Sequence, residues 1–141
     1  MLRFCTATLA MPSIFSLLIF DPQWRTWRLR IALAIYVAIL ALGSVPGARA
    51  EIGLVASGIV LHALAYGALA ALIFGGTTGE PSSRAVRTVL GVMVMGALDE
   101  LVQSVLPYRN GNPADWLVDV TAALVVALVL WGLATRASQR R

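Results

Sequence analysis

Long apolar runs separated by short polar breaks dominate the chain. A helix needs roughly 20 mostly apolar residues to cross a bilayer, and four runs approach that length, at 29–45, 54–74, 86–106 and 114–134. Pro46-Gly47 closes the first run, and a stretch rich in glycine, threonine and serine at 75–83 separates the second from the third. The pattern predicts an all-α fold, an integral membrane bundle of four helices.

A further apolar stretch at 2–20 precedes these runs and is interrupted by Arg3 and Pro12. A fifth span, a signal-like segment and an interfacial helix are the alternatives, and Met11 is an alternative start. Because no small-residue cleavage site follows the apolar part, we interpret the stretch as an uncleaved interfacial or partly inserted segment. The predicted organisation is then an N-terminal apolar segment with a basic linker at 1–28, the membrane domain at 29–135 and a basic tail at 136–141.

Composition favours a bilayer over water. Hydrophobic residues make up 59% of the 141 residues and charged residues 13%, and the mean hydropathy is +0.81, whereas a soluble domain carries about a quarter charged residues. The net charge of +4 does not indicate a nucleic-acid partner, because the arginines punctuate the apolar runs and form no patch. Cys5 is the single cysteine, so no intramolecular disulfide is possible.

Arginine placement predicts the orientation. With a cytoplasmic N-terminus, Arg49 and Arg109 lie outside, and the other nine lie inside: Arg3, Arg25, Arg28, Arg30, Arg84, Arg87, Arg136, Arg140 and Arg141. Cytoplasmic loops carry such an excess of basic residues. Both termini are therefore expected in the cytoplasm, with tryptophans near the predicted helix ends, as interfacial aromatic residues should be: Trp24, Trp27, Trp116 and Trp131.

Four carboxyl groups interrupt the apolar pattern near the outer ends of the last two runs. Asp99 and Glu100 are adjacent in the third predicted helix, and Asp115 and Asp119 open the fourth. At the helical rise per residue, Asp99 lies roughly 12 Å below the outer end of its helix, and His62 reaches about the same depth from the same side. We therefore expect the imidazole and the acids to share one level of the bundle.

Three more polar side chains join this predicted cluster. Gln103 follows the two acids by three and four residues, so it neighbours both on the helix surface. Tyr66 stands one turn beyond His62, and Arg109 comes from the turn at 107–113. The sequence thus predicts a polar site that opens outward, built from three helices and one loop.

The predicted site holds four acids against one arginine and one histidine. Charges in hydrocarbon are costly unless they face a cavity or one another. Some carboxyls are protonated through raised pKa values, or a hard divalent cation such as Mg²⁺ or Ca²⁺ is bound through oxygens, or the acids reach interfacial water. The sequence does not choose among the three, so the metal stays unassigned.

Several candidate residues also have a purely structural interpretation, whereas the two adjacent acids in mid-helix, Asp99 and Glu100, are hard to explain in that way. Asn112-Pro113-Ala114-Asp115 is a typical helix start, with asparagine as the N-cap and Asp115 in the first turn. His62 alone in an apolar helix is often an inter-helix hydrogen-bonding residue, Tyr66 is accounted for by packing, and Arg109 is as well suited to clamping a loop carboxylate as to binding a substrate. The glycines at 58, 91 and 96 would allow close helix contact.

The ordered set of polar residues resembles the VanZ-like family, small bacterial membrane proteins named after a teicoplanin-resistance protein. The resemblance rests on "HALAYG" at 62–67 and "DELVQSVLPYRNGNPADWLVD" at 99–119. The family pattern carries over by position to His62, Tyr66, Glu100, Gln103, Arg109 and Asp115. Two departures stand out: the chain has Ser57-Gly58-Ile59-Val60 where the family often has Asp-Lys, and Asp119 where it usually has asparagine. Together they remove a cation and add an acid.

The residues are compatible with three functions. The first is a non-catalytic protein of the bacterial inner membrane that binds a lipid-linked or cell-wall ligand, an expectation that the resemblance favours. The second is an intramembrane enzyme acting on such a lipid, with Glu100 or Asp99 as general base, His62 as proton partner and Arg109 as anion stabiliser. The third is a small proton-coupled transporter. Whether the chain is an enzyme is left open by the residues.

Overall fold

The computed structural model describes residues 19–47 and 57–139, and every regular element in these two ranges is helical. A short 3-10 turn, Pro22–Trp24, leads into the first of four long helices. These are α1 Arg25–Gly43, α2 Gly58–Gly76, α3 Pro81–Ser104 and α4 Pro113–Gln139. The all-α prediction is confirmed, while the apolar stretch at 2–20 lies outside the described residues except for Ile19 and Phe20, which are helical.

The helix ends follow local chemistry. The Ser57 hydroxyl accepts a hydrogen bond from the Val60 amide at 3.4 Å and so caps α2. Proline occupies the first turn of α3 and of α4, where its missing N–H is not needed. After α1, Gly47 has a φ of +81°, a left-handed conformation that favours glycine. This turn ends the first helix close to the predicted position.

The polar loop predicted at 75–83 is too long. Gly75 and Gly76 still belong to α2, and Pro81 already begins α3. A Cβ on Gly75 would lie 2.7 Å from the Ile19 carbonyl oxygen, and one on Gly76 would lie 2.6 Å from Leu29 Cγ. The two glycines therefore serve close packing against the N-terminal part of the chain, which their composition alone did not distinguish from a turn.

The helices run up and down in chain order, so neighbouring ends alternate. Helix α4 packs against both α2 and α3, and α1 packs mainly on α2. The interior is built around a few large side chains and several alanines: Tyr36, Tyr66, Leu69, Val92, Ala32, Ala70 and Ala123. Small residues between the helices let the backbones approach closely.

The exterior of the bundle is apolar and its interior is partly polar. Leu64 is 67% exposed and Leu33 62% exposed, whereas Asp99 is 1% exposed and Asp119 fully buried. Three helical stretches are long and apolar enough to cross a membrane: Pro22–Gly43, Gly58–Gly76 and Pro113–Gln139. Helix α3 is also long enough, with 24 residues, but it carries two arginines and two acids.

The two ends of the bundle differ in charge. At one end, which we call the arginine end, lie six of the seven arginines in the described residues: Arg25, Arg28, Arg30, Arg84, Arg87 and Arg136. Arg28 donates to the Gly75 carbonyl at 2.9 Å, and Arg84 donates twice to the Phe74 carbonyl, at 3.0 and 2.6 Å. These bonds help to satisfy carbonyls at the C-terminus of α2, which have no partner within the helix; the Thr77 hydroxyl also donates to the Phe74 carbonyl, at 3.1 Å.

Candidate functional site

The candidate site lies at the opposite end, which we call the acidic end because it holds Asp99, Glu100, Asp115 and Asp119. Its central contact joins α2 and α4: His62 Nδ1 lies 2.9 Å from Asp119 Oδ1. Asp119 is fully buried and the His62 side chain is 14% exposed. An ionised carboxylate only accepts, so with Asp119 ionised Nδ1 is the donor. The bond leaves Nε2 as the second ring nitrogen, 3.9 Å from Asp115 Oδ2.

A second contact joins α2 and α3. The Tyr66 hydroxyl donates to Asp99 Oδ2 at 3.1 Å, with both residues buried. The rings of His62 and Tyr66 are parallel within 6°, with centroids 5.9 Å apart. On α2, His62 therefore binds an acid of α4 and Tyr66 binds an acid of α3.

The two adjacent acids on α3 point to different surroundings. Asp99 faces the bundle interior, whereas Glu100 Oε2 accepts a short hydrogen bond from the backbone amide of Asn112 in the loop before α4. The loop packs tightly on α3, since a Cβ on Gly111 would lie 2.7 Å from the Glu100 carbonyl oxygen. Neither acid faces the apolar exterior. Two acids directed at the exterior would have contradicted the predicted polar site.

Asp115 combines the helix-start position with a place in the site. Asn112 Oδ1 accepts from the Ala114 amide at 3.1 Å, and Asn112 Nδ2 donates to Asp115 Oδ1 at 3.2 Å. These contacts are those expected of a helix N-terminus. The other oxygen of Asp115 is the one that faces His62, so the structural and the functional interpretation describe the same side chain.

Arg109 lies over the site from the loop. Its Nη2 donates to Gln103 Oε1 at 2.7 Å, and the Gln103 side chain is buried on α3. The predicted clamp between Arg109 and a loop carboxylate is absent from the hydrogen bonds of the described residues; an amide holds the guanidinium instead. The arrangement keeps a cation beside the acids without neutralising one of them directly.

Five of the polar side chains described above line a pocket of about 270 Å³. Its polar wall comprises His62, Tyr66, Asp99, Gln103 and Arg109. The apolar wall is built by α1 and α2, with Ile39, Leu42, Gly43, Gly58, Leu61 and Ala65. Glu100, Asp115 and Asp119 do not line the pocket; they stand behind the residues that do.

Four buried polar atoms near the pocket have no hydrogen-bond partner among the described residues: Asp99 Oδ1, Glu100 Oε1, Arg109 Nε and Asp119 Oδ2. Buried polar groups are nearly always paired, because leaving one unpaired is costly. Three of these atoms are carboxylate oxygens, which accept cations or proton donors. One is a guanidinium nitrogen, which donates to anions. The site therefore has unpaired groups that could bind a cation and an unpaired group that could bind an anion.

One geometric group could hold a metal ion. Ligand atoms from His62, Asp99 and Glu100 lie within 4.8 Å of one another. The spacing also allows one water to bridge the imidazole and an acid, as general base catalysis would require. The arrangement can thus bind a cation, bind a ligand with charged groups of both signs, or move a proton.

Sequence reasoning placed the site too deep. Helix α2 begins at Gly58, so His62 is only four residues inside it, about 6 Å. Helix α3 ends at Ser104, so Asp99 is five residues from its end, about 7.5 Å. The predicted depth of roughly 12 Å is therefore wrong, because the apolar runs in the sequence start at Leu54 and continue to Leu106, whereas α2 begins at Gly58 and α3 ends at Ser104.

Some residues of the site were missed or misread. Gly43 lines the pocket, and Asn112, predicted only as a helix cap, also binds Glu100 through its backbone. A Cβ on Gly96 would lie 2.9 Å from Asp119 Oδ2, as expected of a close helix contact. A Cβ on Gly91 would meet nothing within 4 Å, so that part of the prediction is wrong. No sequence signal separates the two glycines.

Comparison of the chain with models of protein families, with curated proteins and with solved structures finds no match.

Proposed function

We propose that the chain is a VanZ-like integral membrane protein of four spans whose pocket at the acidic end binds a cell-envelope or lipid-linked ligand. The apolar exterior supports the bilayer setting, because a soluble protein rarely exposes so much contiguous aliphatic surface. The pocket supports the binding role, because it brings unpaired charged atoms of both signs into an apolar surround.

Helix α3 serves as the fourth span despite its charges. Arg84 sits at its start and bonds the Phe74 carbonyl, Asp99 is buried, and Glu100 is engaged by the loop. The face that remains exposed is aliphatic: Val86, Leu90, Val94, Leu98 and Leu101. Ionisable residues in membrane helices face the bundle interior in this way.

The charge of the two ends supports an outward-facing pocket. The arginine end holds six arginines and the acidic end holds only Arg109 within the described ranges. By the positive-inside rule the arginine end is cytoplasmic, which puts the acidic end outside the membrane of a bacterial cell. A ligand of the outer leaflet or the cell wall reaches that end without crossing the bilayer.

The unpaired Nε of Arg109 is the observation that carries the proposal. A guanidinium held by Gln103 at Nη2 and unpaired at its buried Nε is suited to a phosphate or carboxylate. The neighbouring acids suit an amine or a bridging cation. The pocket volume lies just below the range of drug-sized ligand sites, so it admits a headgroup while the acyl or prenyl chains of a lipid remain in the bilayer.

Native mass spectrometry of the full chain, released from nanodiscs made of the host's own lipids, tests the proposal. We expect one lipid class to remain bound at one copy per chain. Arg109→Ala should lose most of that lipid, whereas Arg87→Ala, a matched change of an exposed arginine at the other end, should retain it. Equal retention by both variants, or only bulk lipid on the wild type, would remove the proposed role of the pocket.

An intramembrane enzyme is the second candidate, favoured by the bond between His62 and Asp119. Such a pair orients an imidazole for proton transfer, and Asp99 and Glu100 lie near enough to act with it. If a lipid diphosphate is turned over, Glu100→Gln should abolish turnover while preserving its binding. Binding without any turnover, lost in Arg109→Ala, would leave the non-catalytic function.

A further inference from the structure

We propose that His62, Asp99 and Glu100 form a binding site for a divalent transition-metal ion of the zinc type, with Asp119 orienting the imidazole. The inference deepens the proposed function and rests on it, because the ion would lie at the edge of the same pocket, where His62 and Asp99 line it. It rests on the geometry of the acidic end and does not depend on which lipid or cell-wall ligand the pocket takes.

The first observation is the convergence of three ligand atoms from two helices. One atom each from His62, Asp99 and Glu100 lies within 4.8 Å of the other two. Ligand atoms around a tetrahedral zinc ion at about 2.1 Å are about 3.4 Å apart. The three side chains must therefore close by at most about 1.4 Å, which small changes of their side-chain torsions supply.

The second observation is an unpaired, buried acid directed into the pocket. Asp99 is 1% exposed, and its Oδ1 has no hydrogen-bond partner in the described residues, while Tyr66 occupies its Oδ2. Oδ1 points toward α1, since a Cβ on Gly43 would lie 3.8 Å from it, and both residues line the pocket. Glu100 does not line the pocket, but it also keeps one oxygen for a cation: Oε2 is bound by Asn112, and Oε1 is buried and unpaired.

The third observation is the carboxylate behind the histidine. Metal-binding histidines usually donate their other ring N–H to a carboxylate, which fixes the tautomer and raises the basicity of the ligand nitrogen. Asp119 Oδ1, 2.9 Å from Nδ1, provides that contact and leaves the Nε2 lone pair for the metal.

The donor set selects the class of ion. Two carboxylates and one imidazole suit zinc or manganese, while Mg²⁺ and Ca²⁺ prefer oxygen ligands alone. Three protein ligands leave a coordination position open, as in zinc sites that bind water or a substrate. His62 and Asp99 line the pocket together with Arg109, so an anionic headgroup in the pocket could contact both an ion held there and the guanidinium.

Zinc titration of the full, untagged chain in detergent micelles tests the site. The protein is first stripped with a chelator, and Zn²⁺ is then added in competition with a fluorescent zinc indicator. We expect one ion per chain with a dissociation constant below about 1 µM, and millimolar Mg²⁺ should not displace it. Wild-type protein that fails to bind one equivalent overturns the proposal without any need for a variant.

Three variants then identify the ligands. Glu100→Gln and His62→Gln should weaken zinc binding by about 100-fold or more, since each removes a ligand, and Asp119→Asn by about 10- to 100-fold. Glu80→Gln changes an exposed glutamate at the arginine end and should bind like the wild type. Unchanged affinity in all three variants, or an equal loss in Glu80→Gln, would assign the zinc to another place. Gel filtration checks each fold, and Glu100, which is only half-buried, is the substitution most easily accommodated.

The outcome is separable from that of the lipid experiment. Lipid retained by chelator-treated protein that binds no zinc would remove the metal site and leave the ligand pocket. Zinc bound by protein that retains no specific lipid would support the metal site and remove the proposed lipid-binding role.

Discussion

The substitution Gly96→Ala, which adds a single methyl group, should disturb the contact between α3 and α4 that supports Asp119. Gly96 lies on α3 where α4 comes closest, and a Cβ there would lie 2.9 Å from Asp119 Oδ2 and 3.1 Å from Trp116 Cδ1. Neither neighbour can move freely, because His62 holds the carboxylate and the Trp116 Nε1 donates to the Met93 carbonyl at 3.0 Å. Gly96→Ala must therefore push the two helices apart or displace Asp119.

The matched control is Gly91→Ala on the same helix. A Cβ on Gly91 meets nothing within 4 Å, and both variants gain the same helix propensity of up to about 1 kcal/mol. The propensity gain cancels in the comparison, which leaves the overpacking at Gly96, about 1–3 kcal/mol. We expect Gly96→Ala to be less stable than Gly91→Ala by that amount.

Equilibrium unfolding in mixed micelles, by titration with dodecyl sulfate and far-ultraviolet circular dichroism, gives the two unfolding free energies. Stabilities that agree within about 0.5 kcal/mol, the ordinary scatter of neutral substitutions, would refute the close contact between α3 and α4 behind the site.

Three further predictions test the contacts and the orientation. A double-mutant cycle of His62→Ala and Asp119→Asn should give a coupling between about 0.6 and about 1.7 kcal/mol, the mean and the maximum for polar contacts between membrane helices; additive losses would argue against the bond. Arg84→Ala should lower the unfolding free energy by about 1–2 kcal/mol, since it removes two hydrogen bonds and the contacts with the rings of Phe20 and Phe74. Arg87→Ala at an exposed position should change it by less than about 0.5 kcal/mol. In a cysteine-free background, an impermeant maleimide added outside the cell membrane should label Asn110→Cys and not Arg87→Cys; the opposite labelling would invert the orientation.

The helices were predictable because hydrophobic periodicity and breakers act locally. Runs of apolar residues, the Pro46-Gly47 break and the Asn112-Pro113 start each depend on a few neighbouring residues. The boundaries were less predictable, since the apolar pattern continues past the helix ends and since Gly75 and Gly76 pack as helix residues. A local pattern does not reveal which glycine faces another helix.

The membership of the site was predictable, while its pairing was not. Polar residues in a chain this apolar had to gather somewhere, so His62 and the acids were expected together. Which acid each partner takes depends on how the helices are rotated about their axes. His62 contacts Asp119 of α4 and leaves Asp99 to Tyr66, and the sequence carries no signal for that rotation.

Nitrogen-15 magnetic resonance of His62 tests most directly whether side chains from separate helices converge at the acidic end. His62 is the only histidine in the chain, so selective labelling of the untagged protein gives one pair of ring signals without assignment. We predict a protonated, strongly hydrogen-bonded Nδ1, whose proton moves upfield in Asp119→Asn while Glu80→Gln leaves it unchanged. A neutral ring protonated only at Nε2, with a spectrum indifferent to Asp119→Asn, would contradict the convergence on which the site depends.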